Sequence, residues 1–172
     1  MISRRFAKPT ILRNAILVVV AAVASAGTSC PVPSIGITCS NTINATSFGF
    51  TAVVPAEFVC TTVVPNPQLL LSVRYIKAAG NLIASVVVGP IDPDASLPPE
   101  VTQTELDQLT NPNGVIFRIF KVSFNGSTIT SYVGVTTLAS GQQLGVTLAT
   151  TTDDPALLVA LNAILNSVAL VP

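Results

Sequence analysis

From Val115 to Val135 the chain reads as two alternating apolar runs joined by Asn125-Gly126. Asn-Gly between such runs is the strongest short-range hairpin signal, because the tight turn it makes needs positive φ at both central residues. An antiparallel hairpin is therefore fixed in the middle of the chain, and its neighbours repeat the pattern. Leu69 to Ala78 and Leu82 to Val88 flank Gly80-Asn81, and Ser140-Gly141 leads to a run in which Leu144, Val146 and Leu148 alternate with Gly and Thr. Upstream, Phe48, Phe50, Ala52 and Val54 alternate until Pro55, and Phe58 to Val64 forms a further run closed by Pro-Asn-Pro. An edge strand is expected near Ile35 to Cys39. Seven to nine short strands at close intervals, joined largely by tight turns, predict an all-β fold: an antiparallel β-sandwich, Ig-like in general architecture.

Two segments interrupt the pattern. Residues 89–113 form a long, Pro-rich connection. Within it, Pro98 or Pro99 in a first turn and Asn111 before Pro112 predict a short helix. At the C-terminus, Asp153 or Asp154 can cap a helix, Pro155 fits its first position, and Ala156 to Leu170 continue with good helix formers. That helix is apolar around most of its circumference, so it must bury most of its surface. Phe117 and Ile119 face one side of their strand, while Ile116, Phe120, Val122 and Phe124 face the other. Both sides need cover. The expected arrangement has the inter-sheet core on one side and the C-terminal helix, laid across an open face of the sandwich, on the other.

The N-terminus has the three parts of a secretory signal: Arg4, Arg5, Lys8 and Arg13, then an uncharged run from Ala15 to Ala26, then Ala24-Ser25-Ala26 as a small-x-small cleavage site. The apolar run is shorter than the roughly 20 residues a membrane span needs. The organisation expected is 1–26 signal peptide, 27–34 linker, 35–152 sandwich and 153–172 helix. Ser3 to Lys8 loosely resembles a twin-arginine export signal. Gly27-Thr28-Ser29-Cys30 resembles a bacterial lipobox, except that Gly27 stands where an apolar residue such as Leu is usual. That resemblance implies lipidation of Cys30 and membrane attachment through it.

Cysteine parity points the same way. An exported chain oxidises its thiols where geometry allows. The chain has three cysteines; if Cys30 carries lipid, Cys39 and Cys60 remain as a pair. Without residues 1–26, four basic residues face eight acidic ones, a net charge of −4. That balance argues against a nucleic-acid partner, which demands a basic stripe. Charged residues make up 9% of the chain against the usual quarter, so its surface must be covered by Thr, Ser, Asn and Gln or be partly hidden by a partner such as an envelope component.

The chain has no His, which excludes Ser-His and Cys-His nucleophilic schemes and His-ligated metals. It carries no phosphate loop or dinucleotide fingerprint, so no cofactor is expected. Four bases recur as Arg74 with Lys77 and Arg118 with Lys121, 44 residues apart. Residues three apart on a strand face opposite sides, so a joint anion contact would need Arg74 beside Arg118 and Lys77 beside Lys121. Otherwise these bases pair with the acids of the long connection or cover apolar surface with their stems. Asp92, Asp94 and Glu100 are weak calcium candidates, offering oxygen ligands without a calcium-loop spacing. The function expected is that of an exported, non-catalytic binding or structural module of the cell envelope or the secreted fraction. A calcium- or anion-binding module, or a small hydrolase using paired carboxylates, is the alternative.

Overall fold

The computed structural model describes residues 37–66, 69–77, 79, 82–151 and 156–172. The expected signal peptide, linker and Cys30, and the capping residues Asp153, Asp154 and Pro155, lie outside the described residues.

The described residues form an all-β sandwich of two antiparallel sheets with one α-helix and a short 3-10 turn at Thr46–Phe48. The larger sheet has seven strands: β3 (Val59–Asn66), β4 (Leu69–Lys77), β5 (Leu82–Gly89), β6 (Val101–Thr110), β7 (Ile116–Phe124), β8 (Thr130–Thr137) and β9 (Gln143–Thr150). Their order across the sheet is β3-β4-β5-β9-β8-β7-β6. The smaller sheet is β1 (Thr42–Ala45), β2 (Phe50–Val53) and β10 (Ala169–Leu170), ordered β1-β2-β10. Helix α1 (Ala156–Ser167) lies between β9 and β10 in the chain and packs on β9, β8 and β2.

The three central strands of the large sheet are buried on both faces, and their composition suits that position. β5, β9 and β8 are built mainly from Val, Leu, Thr, Ala and Gly, and nearly every residue in them is buried. β-Branched and small side chains pack well on a pleated, doubly covered surface. On the inner face, Val73, Tyr75, Val86, Phe117, Leu144 and Val146 meet Ile43, Phe50 and Ala52 of the small sheet and Leu157, Leu161, Ile164 and Leu165 of α1 in one continuous core. Gly134 lets α1 approach this closely. A Cβ there would stand 2.7 Å from Leu165 Cδ1, so any larger residue would force the Leu165 side chain to shift.

The outer face is covered by the connection between β5 and β6. The β6–β9 meander folds back so that β9 pairs with β5, and the 90–100 segment must therefore cross β9, β8 and β7 to reach the far edge. It does so on the outer face. Leu97 packs on Phe120, Val122, Val133 and Val135, and Ile91 sits on Val87. Gly145 makes the crossing close, since a Cβ there would stand 2.8 Å from Ile91 Cδ1.

Several expectations are corrected. The short helix expected within 89–113 is strand β6, an edge strand with only Val101 buried, whose Val and Thr content favours extended backbone. Among the described residues the first strand begins at Thr42; residues 37–39 of the edge strand expected near 35–39 are in no strand, and residues 35 and 36 lie outside the described residues. There are ten strands among the described residues rather than seven to nine; three of them are short. The C-terminal helix does not cover the second face of β7. It completes the small-sheet layer, and the crossing connection covers that second face instead. Phe120 and Val122 lie beneath it, while Ile116 at the strand end is 55% exposed.

Beyond α1 the chain returns to the small sheet. Ala169 pairs with Thr51 and Leu170 with Phe50. Ser167 Oγ accepts from Val53 N at 2.8 Å and lies 2.9 Å from Val53 O, so the helix end is stitched to β2. A disulfide joins Cys39 to Cys60, with Cα atoms 5.6 Å apart, and ties the segment before β1 to β3. Beside it, the buried Tyr75 hydroxyl donates to Ser40 O at 2.8 Å, and burial pushes its pKa up to about 12. Such a bridge fits an oxidising compartment. No helix among the described residues is long and apolar enough to cross a membrane.

Candidate functional site

A groove of about 750 Å³ opens where the crossing connection leaves β5, over the ends of β6, β7, β8 and β9. Ile91, Val115, Ile116, Val135 and Leu170 give it apolar walls, and Arg118 lies in its lining. β7 sends Arg118 to the outer face, in the same alternation as Phe120. Glu105 stands opposite Phe120 on β6, diagonally across from Arg118 and just before a register shift that breaks the β6–β7 ladder. Asp94 is brought in by the crossing connection, where its N–H donates to Asp92 Oδ1 at 3.0 Å and fixes the local turn.

Arg118 is held by both acids. Its Nε and Nη2 donate to the two Glu105 oxygens at 2.9 and 2.7 Å, and its Nη1 and Nη2 donate to the two Asp94 oxygens at 2.9 Å each. Two bidentate pairs on one guanidinium use its planar fork fully. Beneath it lies the Phe120 ring, 5.0 Å from the guanidinium carbon, a cation–π distance. The hydrogen bonds from Arg118 hold both the Asp94 and the Glu105 carboxyl below the usual carboxylate range. Hydrogen bonding to Glu105 and Asp94 raises Arg118 above its usual value. The trio is fully ionised at neutral pH and carries a net charge of −1.

The other bases are placed apart. Arg74 on β4 shares a cross-strand row with Ser85, Thr147, Val133 and Phe120, so it lies four strand spacings, about 19 Å, from the β7 strand that carries Arg118. Lys77 is 3.6 Å from Glu57 and lies over the Phe58 ring. Lys121 lies over the Tyr132 ring on the opposite face from Arg118. The anion contact expected from Arg74 with Arg118 and Lys77 with Lys121 is therefore not assembled. The 44-residue spacing arises because β4 and β7 each open a hairpin, with Arg on the outer face and Lys on the inner.

The calcium candidates diverge as well. Asp94 contacts Arg118, whereas the Glu100 carbonyl accepts from Asn125 N at 2.8 Å, just past the far end of β7. Arg118 and Phe124 are six residues apart on one strand, about 20 Å. Among the described residues no three His, Cys, Asp or Glu side chains gather as a metal site.

Two asparagines, one misread from the sequence and one passed over, organise the surroundings. Asn111, expected only as a helix end, is buried; its Nδ2 donates to Leu165 O and Val168 O at 2.8 Å each, closing the C-terminus of α1. Its Oδ1 accepts from Asn113 N and Val115 N, shaping the β6–β7 turn at the groove rim. From the sequence Asn111 and Pro112 were expected to end a short helix; the Asn-Pro-Asn-Gly cluster could have marked the turn, but nothing in it points to a helix 54 residues away. Asn41 Nδ2 donates to the carbonyls of Val54, Pro55 and Phe58, which fixes the β2–β3 loop, and no pattern in the sequence marked it. No protein-family model matches the chain, and no curated protein matches it.

Proposed function

We propose that the chain works outside the reducing cytoplasm as a non-catalytic binding or structural module of the cell envelope or the secreted fraction. The observation that carries this reading is the closed Arg118–Asp94–Glu105 trio. A carboxylate hydrolase needs one acid kept protonated near neutral pH while its partner stays ionised. Here one guanidinium holds both carboxyls below their usual range, so neither is available as a general acid. Each acid is satisfied by the same base, which is the economy of a structural clasp. The Cys39–Cys60 disulfide and the signal pattern at the N-terminus support export.

Carbon-detected NMR titration of the Asp94 and Glu105 carboxyls tests the non-catalytic half without any substrate. Both are expected to titrate below the ordinary carboxylate range, and a midpoint near neutrality at either one overturns it. The intact mass of the protein recovered from its host tests export. The expected species begins after Ala26, or at an acylated Cys30, with Cys39 and Cys60 joined. A full-length cytosolic chain with three free thiols refutes it.

A further inference from the structure

The chain contains two Asn-Gly dipeptides among the described residues, Asn113-Gly114 and Asn125-Gly126, each with a positive-φ glycine. Their surroundings differ. Both asparagines are exposed, but Asn113 is tied down at two points: its N–H donates to Asn111 Oδ1 at 3.0 Å and its Nδ2 to Val168 O at 2.9 Å. The Gly114 N–H donates to Asn111 O at 3.0 Å. Asn125 is exposed, and its side chain makes one long contact, Nδ2 to Pro99 O at 3.3 Å. The Gly126 N–H has no hydrogen-bond partner among the described residues, because the turn is closed by Ser127 N donating to Phe124 O.

We infer that Asn125 is a site of spontaneous deamidation and that Asn113 is protected from the same reaction by its hydrogen bonds. The backbone nitrogen of Gly126 loses its proton and attacks Asn125 Cγ. The new N–Cγ bond forms as the Cγ–Nδ2 bond breaks, and ammonia leaves. Water then opens the cyclic imide at either carbonyl. One route leaves an ordinary aspartate at this position; the other leaves isoaspartate, with the main chain running through Cβ. No oxidant, metal or enzyme is needed. Glycine favours the attack because it lacks a Cβ to crowd the ring, and a free N–H and a weakly held side chain lower its cost further.

The product matters to the fold. Asn125 N donates to Glu100 O and Asn125 Nδ2 to Pro99 O, so this turn anchors the end of the crossing connection. Deamidation replaces a donor with a carboxylate that faces the Pro99 carbonyl and adds a negative charge beside Glu100. The isoaspartate form also lengthens the main chain of the 125–129 connection that joins β7 to β8. Loosening here exposes Leu97 and the apolar cluster of Val101 and Phe120 beneath it.

Peptide mapping of the oxidised wild-type protein, incubated at mildly alkaline pH, tests the inference. The peptide carrying Asn125 should gain about one mass unit and split chromatographically into aspartate and isoaspartate forms, by the replacement of NH2 with OH derived above. The Asn113 peptide should convert roughly thirtyfold more slowly, which corresponds to opening about 2 kcal/mol of hydrogen bonds at 1.4 kcal/mol per decade. In denaturant the two rates should converge. Conversion of Asn113 at the Asn125 rate in the folded protein, or no conversion at Asn125, overturns the proposal. So does a rate gap that persists in denaturant, because the difference would then belong to local sequence and not to the fold.

Discussion

Asn111 joins two parts of the molecule that are far apart in the chain: the turn between β6 and β7, and the end of α1. Replacing it with Ala removes four hydrogen bonds of 2.8 to 3.0 Å, but the four partners do not suffer equally. Val168 O keeps the Asn113 side chain as a donor, and Leu165 O keeps the Val168 N–H at 3.2 Å. Asn113 N and Val115 N are left without an acceptor, and the Val115 bond is buried. Two orphaned donors at about 1–1.5 kcal/mol each, and two lost secondary contacts at about 0.5 kcal/mol each, give a destabilisation of about 3–4 kcal/mol. That is a large share of a typical folding free energy of roughly 5–15 kcal/mol.

Urea unfolding of the oxidised protein, followed by far-ultraviolet circular dichroism, reads this directly. Asn113→Ala serves as the comparison. It removes one bond to a carbonyl that Asn111 still serves, so it should cost less than about 1 kcal/mol. Asn111→Asp keeps both acceptor functions and turns a carboxylate towards two carbonyls. Its folded pKa should therefore rise above the unfolded value, so the variant should lose stability as pH rises through the unfolded value towards that folded one. An Asn111→Ala cost under about 1 kcal/mol with an unchanged slope in urea would refute the claim that this side chain holds helix and turn together.

Three further outcomes are expected. Asp94 and Glu105 have folded pKa values below their ordinary 3.8 and 4.5, so the stability they contribute is present above those values and lost as pH falls through the folded ones. Acid titration of stability should show a decline that begins near pH 4.5 and continues below 3.8, and Arg118→Met should flatten it. Opening the Cys39–Cys60 bridge with a double Ser variant should cost about 3 kcal/mol, because the cysteines are 21 residues apart and the unfolded chain regains that loop entropy; an unchanged urea midpoint would count against it. Gly134→Ala should destabilise by roughly 1–3 kcal/mol through overpacking against Leu165, and a double-mutant cycle with Leu165→Ala should recover part of that loss; additivity would mean that the two side chains do not meet.

Much of the sheet was legible because its strands have a buried face. Leu71, Val73 and Tyr75 alternate with half-exposed or exposed neighbours, and Asn125-Gly126 marks a hairpin by turn chemistry alone. β6 was illegible for the opposite reason. At the sheet edge it exposes Thr102, Thr104, Glu105, Leu106 and Asp107, so no alternation survives, and Pro98-Pro99 imitates a helix start. The doubly apolar β7 correctly demanded two covers. Which cover lies on which face depends on long-range topology, and local pattern carries no record of that.

The same crossing explains why the site was only half visible. Arg118, Asp94 and Glu105 are ordinary charged residues on a strand, in a connection and on an edge strand, with no spacing that links them. They meet because β9 inserts between β5 and β8, which forces the 90–100 segment across the outer face and delivers Asp94 to the β7 end that carries Arg118. Once there, Asp94 and Glu105 claim both sides of the guanidinium, so the clasp pins the start of the crossing connection while Asn125 pins its end. Ile91, just before the first anchor, and Leu97, between the two, seal the outer face of strands that would otherwise present Val87, Val133, Val135 and Phe120 to water. A charge cluster in a groove of this kind follows from closing a sheet whose central strands need cover on both faces.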